Sequence, residues 1–107
     1  MAVVEVLTFE VKRGRLDDFL ADVRQLAHVL TRVDVGLTGM RVLRYMVAGA
    51  DSGRVALLFE NTDLLSWGQS LEAEIGDPED QAISARWQSA ESPVTLVHRM
   101  LLREIPL

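Results

Sequence analysis

The sequence predicts one α+β domain, a four-stranded antiparallel sheet with helices on one face, in the element order β-α-β-β-α-β. Three observations carry that prediction. Short β-rich runs alternate with stretches of helical periodicity. The two middle strands are separated only by a Gly-rich turn cluster. And 107 residues with 49% hydrophobic and 25% charged content suit a single ordinary core.

The first strand is Val3 to Val11, rich in β-branched and aromatic residues. Val3, Leu7 and Phe9 share one face with Glu5, while Val4, Val6 and Thr8 share the other. Both faces are largely apolar, the pattern of a strand covered on both sides. Lys12-Arg13-Gly14-Arg15 breaks the strand. Leu16, Phe19, Leu20, Val23, Ala27 and Leu30 then recur at three- and four-residue steps, predicting an amphipathic helix over Arg15–Val33. Asp17, Asp18 and Asp22 sit early, where the helix dipole favours negative charge. Asp34-Val35-Gly36 is expected to end this helix.

Thr38 to Val47 and Arg54 to Glu60 read as strands, joined across Gly49-Ala50-Asp51-Ser52-Gly53 as an antiparallel hairpin. Thr62 or Asp63 is positioned to cap a second helix whose stripe is Leu64, Gly68, Leu71 and Ile75, with Trp67 on its flank. Gly76-Asp77-Pro78 interrupts it. Asp77 as N-cap with Pro78 at the first helical position signals a restart, giving a third, short helix with Ile83 and Trp87. Ser92-Pro93 stops that helix. Val94 to Ile105 is the last strand, with Leu96, His98, Met100 and Leu102 expected on one face.

The handedness of β-α-β crossovers and the need to cover one apolar sheet face make this order a ferredoxin-like plait. Its second face carries too much Val, Leu and Met to be left in water. Pairing of that face with a second copy is the simplest cover, so a homodimer enclosing a cavity is expected.

Composition excludes several functions. Cys is absent, which rules out disulfides, thiolate nucleophiles and Cys-ligated zinc. A net charge of -5, with 11 scattered Lys and Arg, disfavours nucleic acid. Apolar runs fall far short of the roughly 20 residues that span a bilayer, and Met1-Ala2-Val3-Val4-Glu5 lacks a basic signal region, so no membrane partner and a cytoplasmic location are expected. No phosphate loop, metal-ligand spacing or Ser-His-Asp arrangement occurs.

A few residues stand out. His98 lies mid-strand among apolar neighbours, either a general base or ligand-orienting group in the cavity or a core histidine with a satisfied hydrogen bond. Glu5 is a carboxylate on an apolar face. First and last strands are neighbours in this plait, so Glu5 is expected near His98 or an arginine, as a catalytic group or a salt bridge. Arg44 and Tyr45 point to opposite faces, and alternation leaves open which faces the cavity. Trp67 is a further candidate for ligand contact, although it and Trp87 also fit as core aromatics; His28 falls on the wet side of the first helix.

Three stretches resemble the dimeric α/β-barrel superfamily, in particular its NIPSNAP-like and antibiotic-biosynthesis-monooxygenase-like groups. Val11 to Leu20 is similar to the V-K-x-G-K-x-x-E-F-L passage from strand to helix, and Gly39 to Arg44 to the start of the second strand. Gly76 to Ala82 is similar to the D-P-x-W-Q-A step before the short third helix, with Asp80 in place of the usual aromatic. The resemblance spans nearly the whole chain but rests on turns and caps, which carry fold better than activity. It implies a homodimeric barrel that holds a small apolar or aromatic ligand, or none, without a cofactor or metal. Its alternative is a cofactor-independent monooxygenase-like enzyme acting on an aromatic or polyketide-like substrate, with His98, Glu5, Arg44 and Tyr45 as polar groups. Haem binding or degradation is a third reading. The Asn, Trp and His of haem-degrading members find only Trp67 here, because the first strand has no Asn and the second and third helices have no His.

Overall fold

A computed structural model describes residues 1–33 and 36–107. Its elements are β1 (Val3–Val11), α1 (Leu16–Val33), β2 (Leu37–Arg44), a 3-10 turn (Gly49–Asp51), β3 (Val55–Asn61), α2 (Leu64–Ile75), α3 (Pro78–Trp87) and β4 (Val94–Arg103). The strands form one antiparallel sheet in the order β2-β3-β1-β4, the arrangement of the ferredoxin-like plait. Of the residues expected to end α1, Asp34 and Val35 lie outside the described residues.

Register assigns the faces, because paired residues in an antiparallel ladder point the same way. Leu7 pairs with Leu57 and Phe9 with Val55, and this face meets the helices. The core is Phe9, Val55, Leu57, Phe59 and Val94 from the sheet against Phe19, Val23, Leu26, Leu30 and Ile83 from the helices. Leu26 and Val29, which the sequence stripe omitted, are buried, whereas Leu20 and Ala27 are only half-buried. Trp87 packs edge-on to Phe9, with ring centroids 5.4 Å apart, and also abuts Phe19.

The turn and cap chemistry is as the sequence predicts. Asp63 accepts a hydrogen bond from the Ser66 N–H at 2.7 Å, and Asp77 accepts from the N–H groups of Glu79 and Asp80. Pro78 opens α3 where its missing N–H costs nothing. Gly53, at φ 84°, closes the hairpin loop by donating to the Tyr45 carbonyl.

Two expectations are corrected. The α2 stripe is rotated: Leu64 and Ile75 are 46% and 61% exposed, while Ser70 is buried. Asn61, buried at the end of β3, donates its side-chain amide to the Ser70 hydroxyl at 3.2 Å, so a polar pair occupies the space the pattern assigned to apolar residues. In β4, Leu96 and His98 do not share a face. Thr8 pairs with His98 but the adjacent Phe9 pairs with Leu96, so β4 carries one extra residue there. That bulge resets the alternation. Leu96, Arg99 and Leu101 register with the helix-facing residues of β1, and His98, Met100 and Leu102 with the outer ones.

The alternation of β2 is also decided by register. Arg44 pairs with Val55 on the helix-facing side, at an exposed edge, and Tyr45 follows on the outer side. There the Tyr45 hydroxyl lies 3.0 Å from the Thr8 hydroxyl.

Candidate functional site

The bulge in β4 has a chemical consequence. It turns Arg99 toward the helices, opposite Leu7 and beside Glu5. Glu5 is 8% exposed and lies on the central strand β1. Its Oε2 accepts from Arg99 Nε at 2.7 Å and also from the terminal NH2 of the same guanidinium. A buried carboxylate needs such a partner, because an unpaired one costs several kcal/mol, to order of magnitude. Of the two partners the sequence offered for Glu5, His98 or an arginine, the structure supplies the arginine.

Above this pair lies a cavity of about 290 Å³. Its floor is the sheet, with Leu7, Phe9 and Phe59. Leu26 and Leu30 of α1, and Leu71 and Ile75 of α2, wall it. The remaining wall is α3, which presents Ile83 and Trp87 alongside Asp80 and Ser84, together with Gln88 at its C-cap. Three- and four-residue spacing puts these five side chains on one helical face. The indole of Trp87 is anchored from behind: its N–H donates to Asp22 Oδ2 at 2.9 Å. Asp22 also receives two bonds from Arg86, at 3.1 and 2.6 Å.

Carboxylates at the start of α3 titrate apart. Hydrogen bonding from Arg32 and the helical N–H groups holds Asp77 below the usual carboxylate range, against an opposing effect of burial. Asp80 is pushed up, mainly by burial and then by the charge of Asp77.

A second polar group sits on the outer sheet face. His98 Nε2 lies 3.1 Å from Asp51 Oδ2, and Arg54 donates to Asp51 Oδ1 at 2.8 Å. Arg54 first and His98 second hold the Asp51 carboxyl below its usual range. His98 Nδ1 is buried without a partner among the described residues. Thr8 pairs with His98 across β1 and β4, and the Tyr45 hydroxyl lies 3.0 Å from the Thr8 hydroxyl.

The five residues singled out in the sequence are therefore not one constellation. Glu5 lines the cavity. His98 and Tyr45 are on the opposite face of the sheet, and Arg44 is exposed at its edge. Trp67 borders a void of about 10 Å³ beside Glu5, Asn61 and Ser70, room for one water at most. Arg99 and the cavity face of α3 were missed, since a bulge and the packing of three helices are not written in local periodicity. Among the described residues, no group of three or more His, Cys, Asp or Glu is placed to hold a metal ion, and no helix is long and apolar enough to cross a membrane.

The fold defines the class: an α+β plait of the ferredoxin-like type with a short third helix before the last strand. A NIPSNAP family protein from Agrobacterium tumefaciens superposes with a TM-score of 0.72 at 14% identity, covering 98% of this chain and 94% of the other. SnoaB, a cofactor-independent oxygenase from Streptomyces nogalater, also gives a TM-score of 0.72, at 17% identity over 99% and 95% of the two chains. An uncharacterized NIPSNAP-like domain protein from Burkholderia xenovorans gives 0.64, at 19% identity over 99% and 85%. At these identities the likeness is one of fold. No protein-family model matches the chain, and no curated protein matches it by sequence.

Proposed function

We propose that this protein binds a small, largely apolar molecule in the cavity between its sheet and helices, and that it works as a homodimer joined through the outer sheet faces. The observation that carries the ligand reading is the cavity: about 290 Å³ walled by aromatic and aliphatic side chains, with a buried ion pair on its floor. Ligand sites commonly combine an apolar wall with a few convergent polar groups. This cavity is not the one expected between two sheets; it lies within a single chain. The dimer reading is supported by Leu43, Met100 and Leu102, which are 39–50% exposed, with Leu58 among them, on the outer face.

Binding is tested by calorimetric titration with 2-naphthalenemethanol, an apolar two-ring probe. Saturable binding is expected, and Leu71→Trp, which fills the cavity, is expected to abolish it. If the probe does not bind, or binds the filled variant equally well, the cavity is not the site.

A second reading, a cofactor-independent oxygenase, is favoured by one specific observation. Glu5 places a carboxylate inside an apolar chamber, where it is suited to take a proton from an acidic C–H. The resulting carbanion would reduce dioxygen, forming a C–O bond to a peroxide that takes the proton back from Glu5 and then loses water, so that the CH2 becomes a carbonyl, one oxygen is kept and the other leaves as water; the protein's part would be deprotonation and confinement. 2-Tetralone, a two-ring carbon acid, is a suitable probe. Dioxygen uptake that depends on the protein and falls at least tenfold in Glu5→Gln supports this reading; uptake unchanged by that substitution refutes it.

A further inference from the structure

We infer that the cavity's occupant carries a protonated amine, seated against Asp80 on α3 with its apolar body against the aliphatic and aromatic walls of the cavity. This rests on the cavity being a ligand site and adds the charge of the ligand.

Asp80 and Ser84 of α3 and Gln88, which caps its C-terminus, lie at four-residue intervals, and all three line the cavity. Each presents an oxygen that accepts hydrogen bonds, beside the apolar line of Ile83 and Trp87. An ammonium group donates three hydrogen bonds and accepts none, so it fits between Asp80 and Ser84, one turn apart; Gln88 lies about 12 Å from Asp80 along the axis, beyond its reach.

The charges facing the cavity point the same way. Glu5, Glu74 and Asp80 are acidic and only Arg99 is basic. Two of the guanidinium's nitrogens are already donated to Glu5. The Asp80 carboxylate has no hydrogen bond or ion pair among the described residues, although it is half-buried. Its neighbour Asp77 is engaged with Arg32, at 2.8 Å, and with the N-terminus of α3, so it offers Asp80 only repulsion. A carboxylate partly out of water, beside a like charge and against apolar walls, is relieved by a proton or by a cation. An ammonium supplies the cation; a carboxylate ligand would meet the same repulsion that Asp77 exerts. The volume is at the small end of ligand sites, which suits a body of one or two rings.

Three probes of one shape test this by calorimetry at pH 7.5: 2-naphthylmethylamine, 2-naphthalenemethanol and 2-naphthoate. The amine is expected to bind about tenfold more tightly than the alcohol, and the acid weakest, as a hydrogen-bonded charge pair in a half-buried site allows. Asp80→Asn is expected to bring amine and alcohol within about twofold of each other, and Asp80→Glu to keep the preference; melting curves establish that each variant is folded. An alcohol that binds as tightly as the amine, or an amine preference that survives Asp80→Asn, overturns the assignment of charge while leaving the cavity as a site. Binding of the acid in first place overturns it in favour of Arg99. Failure of all three probes overturns both readings.

Discussion

Asp77 and Asp80 sit one turn apart yet contribute to stability with opposite sign. Asp77 is depressed, as are Asp51 and Asp63, so each of these carboxylates contributes stability at neutral pH that is lost as pH falls through its lowered value. The melting temperature is therefore expected to drop below about pH 4, the ordinary Asp range. Asp80 is raised, so its charged form costs stability at neutral pH, and that cost disappears as the carboxyl takes up a proton. Without ligand, Asp80→Asn is expected to stabilise by about 0.5 kcal/mol at pH 7, a figure kept small by solvent screening, and by nothing near pH 3. Urea melts at the two pH values measure both trends. Glu5 and Arg99 make a second prediction at this scale. Arg99→Met strands a buried carboxylate and should cost about 2 kcal/mol, reduced by the half-exposure of the guanidinium. Adding Glu5→Leu should recover most of that loss, since the uncompensated charge goes with it. A double variant no more stable than Arg99→Met would show that the pair does not matter in this way. Glu5 was legible from sequence because a charge on an apolar strand face breaks a pattern. Arg99 was not, because only the bulge turns it inward.

At the scale of elements, the ends were more legible than the faces. Asp63, Asp77 and Pro78 mark helix starts through local hydrogen bonding, which sequence spacing expresses directly. Faces depend on what arrives from elsewhere in the chain. The α2 stripe failed because Asn61 of β3 brings a buried polar partner to Ser70, and the β4 face failed because one extra residue reverses alternation. Gly36 shows the same dependence on distant chain. A Cβ built on it would lie 2.5 Å from the Ser66 Cβ of α2, too close for any side chain. Gly36→Ala should therefore push the start of β2 away from α2, at a cost of about 1–3 kcal/mol typical of overpacking. A melting temperature within a degree of the parent's would refute that close approach.

The whole molecule is a flat slab, 38 × 36 × 17 Å between Cα extremes. Its short dimension fits two layers about 10 Å apart, one sheet and one row of helices. Among the described residues, none forms a layer over Leu43, Met100 and Leu102 on the outer sheet face. We expect a dimer by light scattering at micromolar concentration, and a monomer after Met100→Asp, which puts a charge in the middle of the apolar area. A monomeric parent protein would overturn the homodimer proposal. In the dimer, His98, Asp51 and Tyr45 would lie at that interface, which separates their role from the cavity on the other side of the sheet.

Element order, helix caps and the apolar character of both sheet faces were determined by the sequence alone, because propensity, capping and periodicity act between residues close in the chain. Which acidic residue meets which base, which face of α2 is buried and where the cavity lies were decided only by tertiary structure. Those depend on register, on a single bulged residue in β4 and on the meeting of three helices over one sheet, contacts between segments as far apart in sequence as Glu5 and Arg99.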